Sequence, residues 1–244
     1  MRQPSLFQAP SEWIPPENIP NLEEATEIAI DLETHDPGLK STGPGWATQK
    51  GKVIGVALAV EGWKGYFPLA HPGGGNFDEK VFKRQLKKIL DLPCDKIFHN
   101  AMYDVGWLSA MGLEVKGRIV DTMIAAPLLD ENKKNYSLKQ ISQEYIGETK
   151  SEAGLYEAAQ DFGVDAKAEM HLLPAMYVGP YAEQDAAVTL KLWQYFKTQL
   201  IKQELSSIFN LETELLPILF QMKKRGVRVD IDKAERVKED FKNA

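Results

Sequence analysis

Residues 28–36, IAIDLETHD, begin as a buried strand and then change character. Side chains along a strand alternate between faces, so Ile28, Ile30 and Leu32 share one face, and Ala29, Asp31 and Glu33 share the other. Two carboxylates thus project the same way, roughly 7 Å apart by strand rise, from a strand otherwise suited to a core. A lone buried carboxylate is costly and normally takes up a proton. A divalent cation reverses that logic, because hard cations prefer oxygen ligands.

Two more segments repeat the anomaly. If residues 101–111 are helical, Asp104 lies on the core-facing stripe with Ala101, Trp107, Leu108 and Met111. In YAEQDAAVTLKLW, Tyr181 and Asp185 are one helical turn apart, on a face that continues through Val188, Leu192 and Phe196. Each feature alone has a plain reading: a polar strand end, a partly exposed helix residue, a solvated helix face. Together they place four acids on otherwise apolar surfaces, in the order strand, helix, helix. Two-metal phosphodiester hydrolysis needs such a set, with ions about 3.5–4 Å apart flanking the attacking and leaving oxygens. A phenol such as Tyr181 could then orient the attacking water.

The surrounding pattern is α/β. Strands are expected at EIAID, VIGVALAV (53–60), GWKGYFPL (62–69), KIFH (96–99) and RIVD (118–121), with a tight turn at Glu61-Gly62. A Gly/Pro-rich loop, THDPGLKSTGPGWATQKGK, separates the first two. Amphipathic helices are expected at 78–90 and 101–112, and beyond residue 122 the pattern is mostly helical: a segment capped by Asp121 and kinked at Pro127, then 137–147, 181–200 and 206–226. Residues 1–26 read as an extended arm, because Pro10, Pro15, Pro16 and Pro20 oppose regular structure. Strands alternating with helices and followed by a helical tail imply a mixed sheet covered by helices.

DLET, HNAMYDVGWL and YAEQD match, in order and approximate separation, the three motifs of the DEDD exonuclease superfamily, and DTMIAAPLLDEN, SLKQISQEYIG and AAVTLKLW support the match. Over residues 27–200 the chain most closely resembles the 3′–5′ proofreading domain of family A, polymerase I-like, DNA polymerases. The resemblance implies a ribonuclease H-like α/β fold: a five-stranded mixed sheet with flanking helices and, here, a helical C-terminal extension. It also implies two divalent cations, Mg²⁺ or Mn²⁺. Asp31, Glu33 and Asp185 would hold the cation carrying the nucleophilic water, and Asp31 with Asp104, through water, the second. Tyr181 marks the subclass with tyrosine beside that water, and Asn100 matches a position near the scissile 3′ end. Leu32 and Thr34, within the first motif, are expected to contact substrate. Met102 stands where relatives often carry lysine, which puts a phosphate contact there in doubt.

Residues 212–237, ETELLPILFQMKKRGVRVDIDKAERV, resemble the junction where a family A polymerase domain begins. No palm or fingers motif follows, so the sequence as given is expected not to synthesise DNA, and residues 201–244 are assigned to a truncated helical segment of that kind. The substrate implied is a single-stranded or frayed DNA 3′ end, with a polymerase domain on the same or another chain as a partner. An RNA 3′-end trimming enzyme like ribonuclease D shares the motifs, and a non-catalytic DNA-binding module is the third reading.

Bulk properties agree. Net charge is −6, with Met222–Ala244 at +3, so bulk electrostatics would not hold a nucleic acid unless cations sat among the carboxylates. The single cysteine, Cys94, rules out an internal disulfide and fits a reducing, cytoplasmic setting, that of a cell or a phage-infected host. The N-terminus has no apolar stretch typical of a signal peptide, no apolar run approaches membrane-spanning length, and no membrane partner is expected. HPGGGNF (71–77) lacks phosphate-loop chemistry and reads as a turn, and His35, His71, His99 and His171 lack zinc-ligand spacing. Asp121 reads as a helix cap, His99 as a hydrogen-bonded structural histidine, Trp46 as loop packing, and KKRGVR (223–228) as a solvated helix end.

Overall fold

In the computed structural model, which describes residues 11–148 and 152–243, five strands form one mixed sheet in the order β3-β2-β1-β4-β5. These are β1 (Glu27–His35), β2 (Lys52–Val60), β3 (Trp63–Pro68), β4 (Asp95–Phe98) and β5 (Ile119–Asp121). The central β1 runs antiparallel to β2 and parallel to β4. Glu61 and Gly62 form the two-residue connection of the β2–β3 hairpin, with Gly62 at φ 78°, a conformation glycine adopts without a Cβ penalty.

Strand alternation sorts the two faces as the sequence implies. Ile28, Ile30 and Leu32 join Val56, Leu58 and Phe67 under α2 (Glu79–Leu90) and α3 (Ala101–Ala110), with Leu216 and Phe220 of α8 (Ser206–Arg225) completing that core. The opposite face is lined by small residues, Ala29, Ala57 and Ala59, beside Tyr66 and Ile97. Small side chains let a long helix lie close. That helix is α7 (Ala175–Lys202), which buries Val188, Leu192, Trp193 and Phe196 there, with α4 (Thr122–Leu129), α5 (Leu138–Ile146) and α6 (Ala153–Phe162) around it. The long β1–β2 loop carries one helical turn, α1 (Gly45–Thr48), and α9 (Ile231–Asn243) has no buried residue.

The helix expected to start at Tyr181 begins at Ala175 and contains Pro180. Proline lacks the N–H that would bond the carbonyl four residues earlier, that of Met176. The Ser11 hydroxyl donates to that carbonyl instead, at 2.8 Å. Residues 11–26, which form no helix or strand, thereby fasten to α7. Trp13 fills the space a Cβ on Gly179 would enter, and its indole N–H donates to Glu183 Oε1 at 2.9 Å. The same oxygen accepts the Tyr66 backbone N–H of β3 at 3.1 Å, joining arm, helix and sheet edge.

Lys96, at the start of β4, is fully buried and donates to the carbonyls of Leu92, Cys94 and Lys116 at 2.6–3.0 Å. Burial lowers its pKa, and the three carbonyls provide the partners a buried cation requires.

Gly55 pairs with Glu33 across β1–β2, and the Tyr66 ring crosses it so closely that a Cβ would stand 2.0 Å from the phenol oxygen. Tyr66 Oη is in turn 2.7 Å from His71 Nε2, and His71 Nδ1 is 2.8 Å from the Leu173 carbonyl. Gly55→Ala should displace the ring and destabilise the protein by about 1–3 kcal/mol. Urea unfolding measures this; an unchanged midpoint would show that the ring has another resting place.

Candidate active site

Pairing between β1 and β4 runs only from Glu27 to Ala29 on β1. Past that point β4 gives way to Asn100, which adopts a left-handed conformation (φ 72°, ψ 52°) that asparagine tolerates better than most residues, and α3 begins. The turn is fixed by Asp121 at the end of β5. Its carboxylate accepts the N–H groups of Asn100 (2.9 Å) and Ala101 (2.8 Å), as well as that of Met123 (2.8 Å) in the first turn of α4. The expected cap therefore serves two helices. Burial raises the Asp121 pKa, against which the three N–H donors act.

Held this way, α3 delivers Asp104 to the edge that β1 exposes where β4 has ended. Asp104 Oδ1 accepts the Leu32 N–H at 3.0 Å, and the residue is only 4% exposed. From β1 itself, Asp31 and Glu33 project onto the α7 face, where Asp185 waits at 5% exposure. One carboxylate oxygen from each of Asp31, Glu33 and Asp185 lies within 4.8 Å of the others. Tyr181 stands one turn before Asp185 and is buried.

Crowded like charges act on three buried neighbours, Asp104, Tyr181 and Tyr66. Burial, reinforced by Asp31, raises the Asp104 carboxyl well above the usual carboxylate range, with the Leu32 N–H opposing. Burial also pushes the Tyr181 and Tyr66 phenols upward, and the charges of Glu33 and Asp31 add to both shifts. A cation already leans on this group: Lys167 Nζ sits 3.8 Å from the centroid of the Tyr181 ring and pairs with Glu152 at 3.0 Å. The donor set itself, three converging carboxylates with a fourth buried beside them, fits a hard divalent cation and matches no thiolate or imidazole site.

Other expected residues fall elsewhere. The Leu32 side chain, 5% exposed, is packed in the core on the face away from the carboxylates, and only its backbone takes part in the site. The Thr34 hydroxyl, past a bulge between Glu33 and Thr34, is 2.7 Å from the Tyr103 phenol oxygen, also away from the cluster. Asn100 is exposed at the head of α3. Met102 packs against the apolar core, so that position contributes no cation here. His99 Nδ1 is 2.9 Å from Thr122 Oγ1, and Trp46 is buried against Phe220 and Gly106. Sequence reasoning missed Tyr66 and Lys167. Tyr66 sits across the small residues Gly55 and Ala57 from β1, and its place there depends on sheet register.

Residues 15–201 match the profile of the 3′–5′ exonuclease domain of family A DNA polymerases. The chain belongs to this family. The chain is 37% identical over 243 residues to a DNA-directed DNA polymerase of Pseudomonas phage M6, across 96% of this chain and 37% of that protein. To DNA polymerase I of Pseudomonas aeruginosa it is 30% identical, across 86% of this chain and 22% of the other. It thus spans about a third of the phage polymerase's length. The fold is shared with Brucella melitensis NrnC bound to pGG, at a TM-score of 0.62 and 20% identity, covering 85% of this chain and 90% of that one.

Because the Asp104 pKa is raised on folding, the folded chain without metal binds protons more readily than the unfolded chain. Its stability therefore falls as pH rises from the ordinary value, 3.8, through the raised one. Asp104→Asn keeps the oxygen that accepts from Leu32 and removes the charge. In EDTA at pH 7 it should raise Tm by roughly 2–4 °C, as read by calorimetry. A lower Tm would mean that the carboxylate is not under repulsion.

Proposed function

We propose that the chain is a metal-dependent 3′–5′ exodeoxyribonuclease of the proofreading type, acting on single-stranded or frayed 3′ ends and releasing nucleoside 5′-monophosphates. The observation that carries this reading is the convergence of Asp31, Glu33 and Asp185 within 4.8 Å, with Tyr181 on the same helix as Asp185. Family membership supports the nuclease chemistry, and the polymerase relatives support DNA as the substrate.

Asp31, Glu33 and Asp185 would hold one divalent cation, and Asp31 with Asp104 a second. When bound, such ions neutralise developing charge on the phosphodiester and make water a better nucleophile near neutral pH. The water oxygen bonds to phosphorus, the P–O3′ bond breaks, and the leaving 3′ oxygen takes a proton. In the metal-free chain, burial and the neighbouring carboxylates keep the Tyr181 phenol protonated. Its work is to orient: the hydroxyl can hydrogen-bond the attacking water and fix its approach. Asp104 has two duties, as a carboxylate of the site and as the clamp on the Leu32 N–H that keeps β1 in place.

Asp31→Ala or Asp185→Ala should reduce hydrolysis of a 3′-labelled single strand by about 10³-fold or more while the fold persists, since each removes several kcal/mol of charge stabilisation. Tyr181→Phe should slow turnover by about 10²-fold and leave cation binding intact. Parental rates in the aspartate variants would overturn the assignment. Matched DNA and RNA oligonucleotides, assayed with Mg²⁺ or Mn²⁺, decide the substrate. Faster loss of the RNA would establish a ribonuclease D-like enzyme instead, and inertness toward both would leave a non-catalytic module.

A further inference from the structure

Beyond Glu33, the carboxylate-bearing face of β1 changes sign. His35 pairs directly with Lys52 of β2, and directly opposed residues in an antiparallel ladder stand side by side on one face. The His35 ring is stacked on that of His171, with centroids 3.7 Å apart and planes 21° from parallel. His171 belongs to a short helical turn, Met170–Leu172, flanked by Met170 and Leu173, both buried in the core beneath the carboxylates. Burial lowers the His171 pKa, the neighbouring His35 and Lys52 add to that, and Glu169 acts in the opposite sense. Lys52 is exposed, and both imidazoles are half-buried.

His171 Nδ1 is out of solvent with no hydrogen-bond partner, a rare condition for a buried imidazole nitrogen. By contrast, His71 nearby is fixed at both ring nitrogens by Tyr66 and Leu173. The rings of the pair stack on one another, and no protein acceptor holds His171 Nδ1. An ammonium and two potential N–H donors thus lie together, about 7 Å along the strand from the nearest catalytic carboxylate by strand rise. An extended nucleic acid strand needs its next phosphate neutralised beside a strongly acidic cleft, where charge repulsion otherwise opposes binding.

We propose that Lys52, His35 and His171 form a phosphate subsite that grips the backbone of the substrate strand at a linkage internal to the scissile one. This rests on the nuclease reading above. His171 is a binding residue in this scheme, with His35 positioning its ring, and Lys52 supplies the fixed charge.

The experiment uses the full chain, a single-stranded oligodeoxynucleotide, and a series of the same strand in which one internal linkage at a time is an uncharged methylphosphonate. For the parent, neutralising one particular linkage should lower kcat/KM by about 10-fold, chiefly through KM. For Lys52→Ala and His171→Ala, each weaker on the unmodified strand by a similar factor, that linkage should no longer matter. Lys52→Arg should restore the parental pattern, and Lys52→Ala should flatten the salt dependence of binding by about 0.7 in log–log slope. If the variants keep the full penalty at that linkage, or if no internal linkage matters to the parent, the subsite does not exist. If the parent leaves the unmodified strand uncut, the nuclease reading itself fails and the subsite goes with it, an outcome distinct from the others. Thermal unfolding of each variant separates a collapsed fold from a lost contact.

Discussion

Three carboxylates converge in this protein with a fourth buried beside them, and a set of buried polar contacts brings their elements together. The hydrogen bond from the Leu32 N–H to Asp104 is its centre. It exists because β1 and β4 part company after Ala29, leaving the β1 edge to be met by a helix rather than a strand. The helix can reach that edge because Asp121 gathers N–H groups from two helices at once and fixes the left-handed turn at Asn100. Each link is a buried polar group whose loss would leave a partner unsatisfied, which is why such networks hold geometry so firmly.

The opposite wall is set by α7. Ala29, Ala57, Ala59 and Gly55 make the sheet surface shallow enough for a long helix to approach and bring Tyr181 and Asp185 to β1. Pro180 falls one residue before Tyr181, where a helix would ordinarily weaken. The N-terminal arm compensates through Ser11, and Trp13 and Glu183 tie the same stretch to β3. Residues distant in sequence thus brace the stretch of α7 that carries Tyr181 and Asp185.

Much of this was legible beforehand, for physical reasons. The two-residue period of β1 assigned Asp31 and Glu33 to one face, and the one-turn spacing of Tyr181 and Asp185 assigned them to another. The order of strands and helices gave the architecture. What escaped was whatever depends on register or on long-range meeting. α7 begins at Ala175, ahead of Tyr181, because Ser11, distant in sequence, takes the carbonyl that Pro180 leaves unbonded. The helix Ala153–Phe162 escaped notice because its buried stripe is mostly alanine, which carries a weak apolar signal. The Leu32 side chain lies in the core, as alternation implies, and its backbone N–H borders the carboxylates. The contact between His35 and His171, far apart in the chain, has no local signature.

Whether these acids share cations is decided by diffraction from crystals soaked in Mn²⁺, without relying on turnover. Anomalous scattering should place one ion among Asp31, Glu33 and Asp185 and a second on the Asp104 side of Asp31, with Asp185→Ala removing the first. A map with no peak at these oxygens at millimolar Mn²⁺, or with ions bound only elsewhere, would contradict the account.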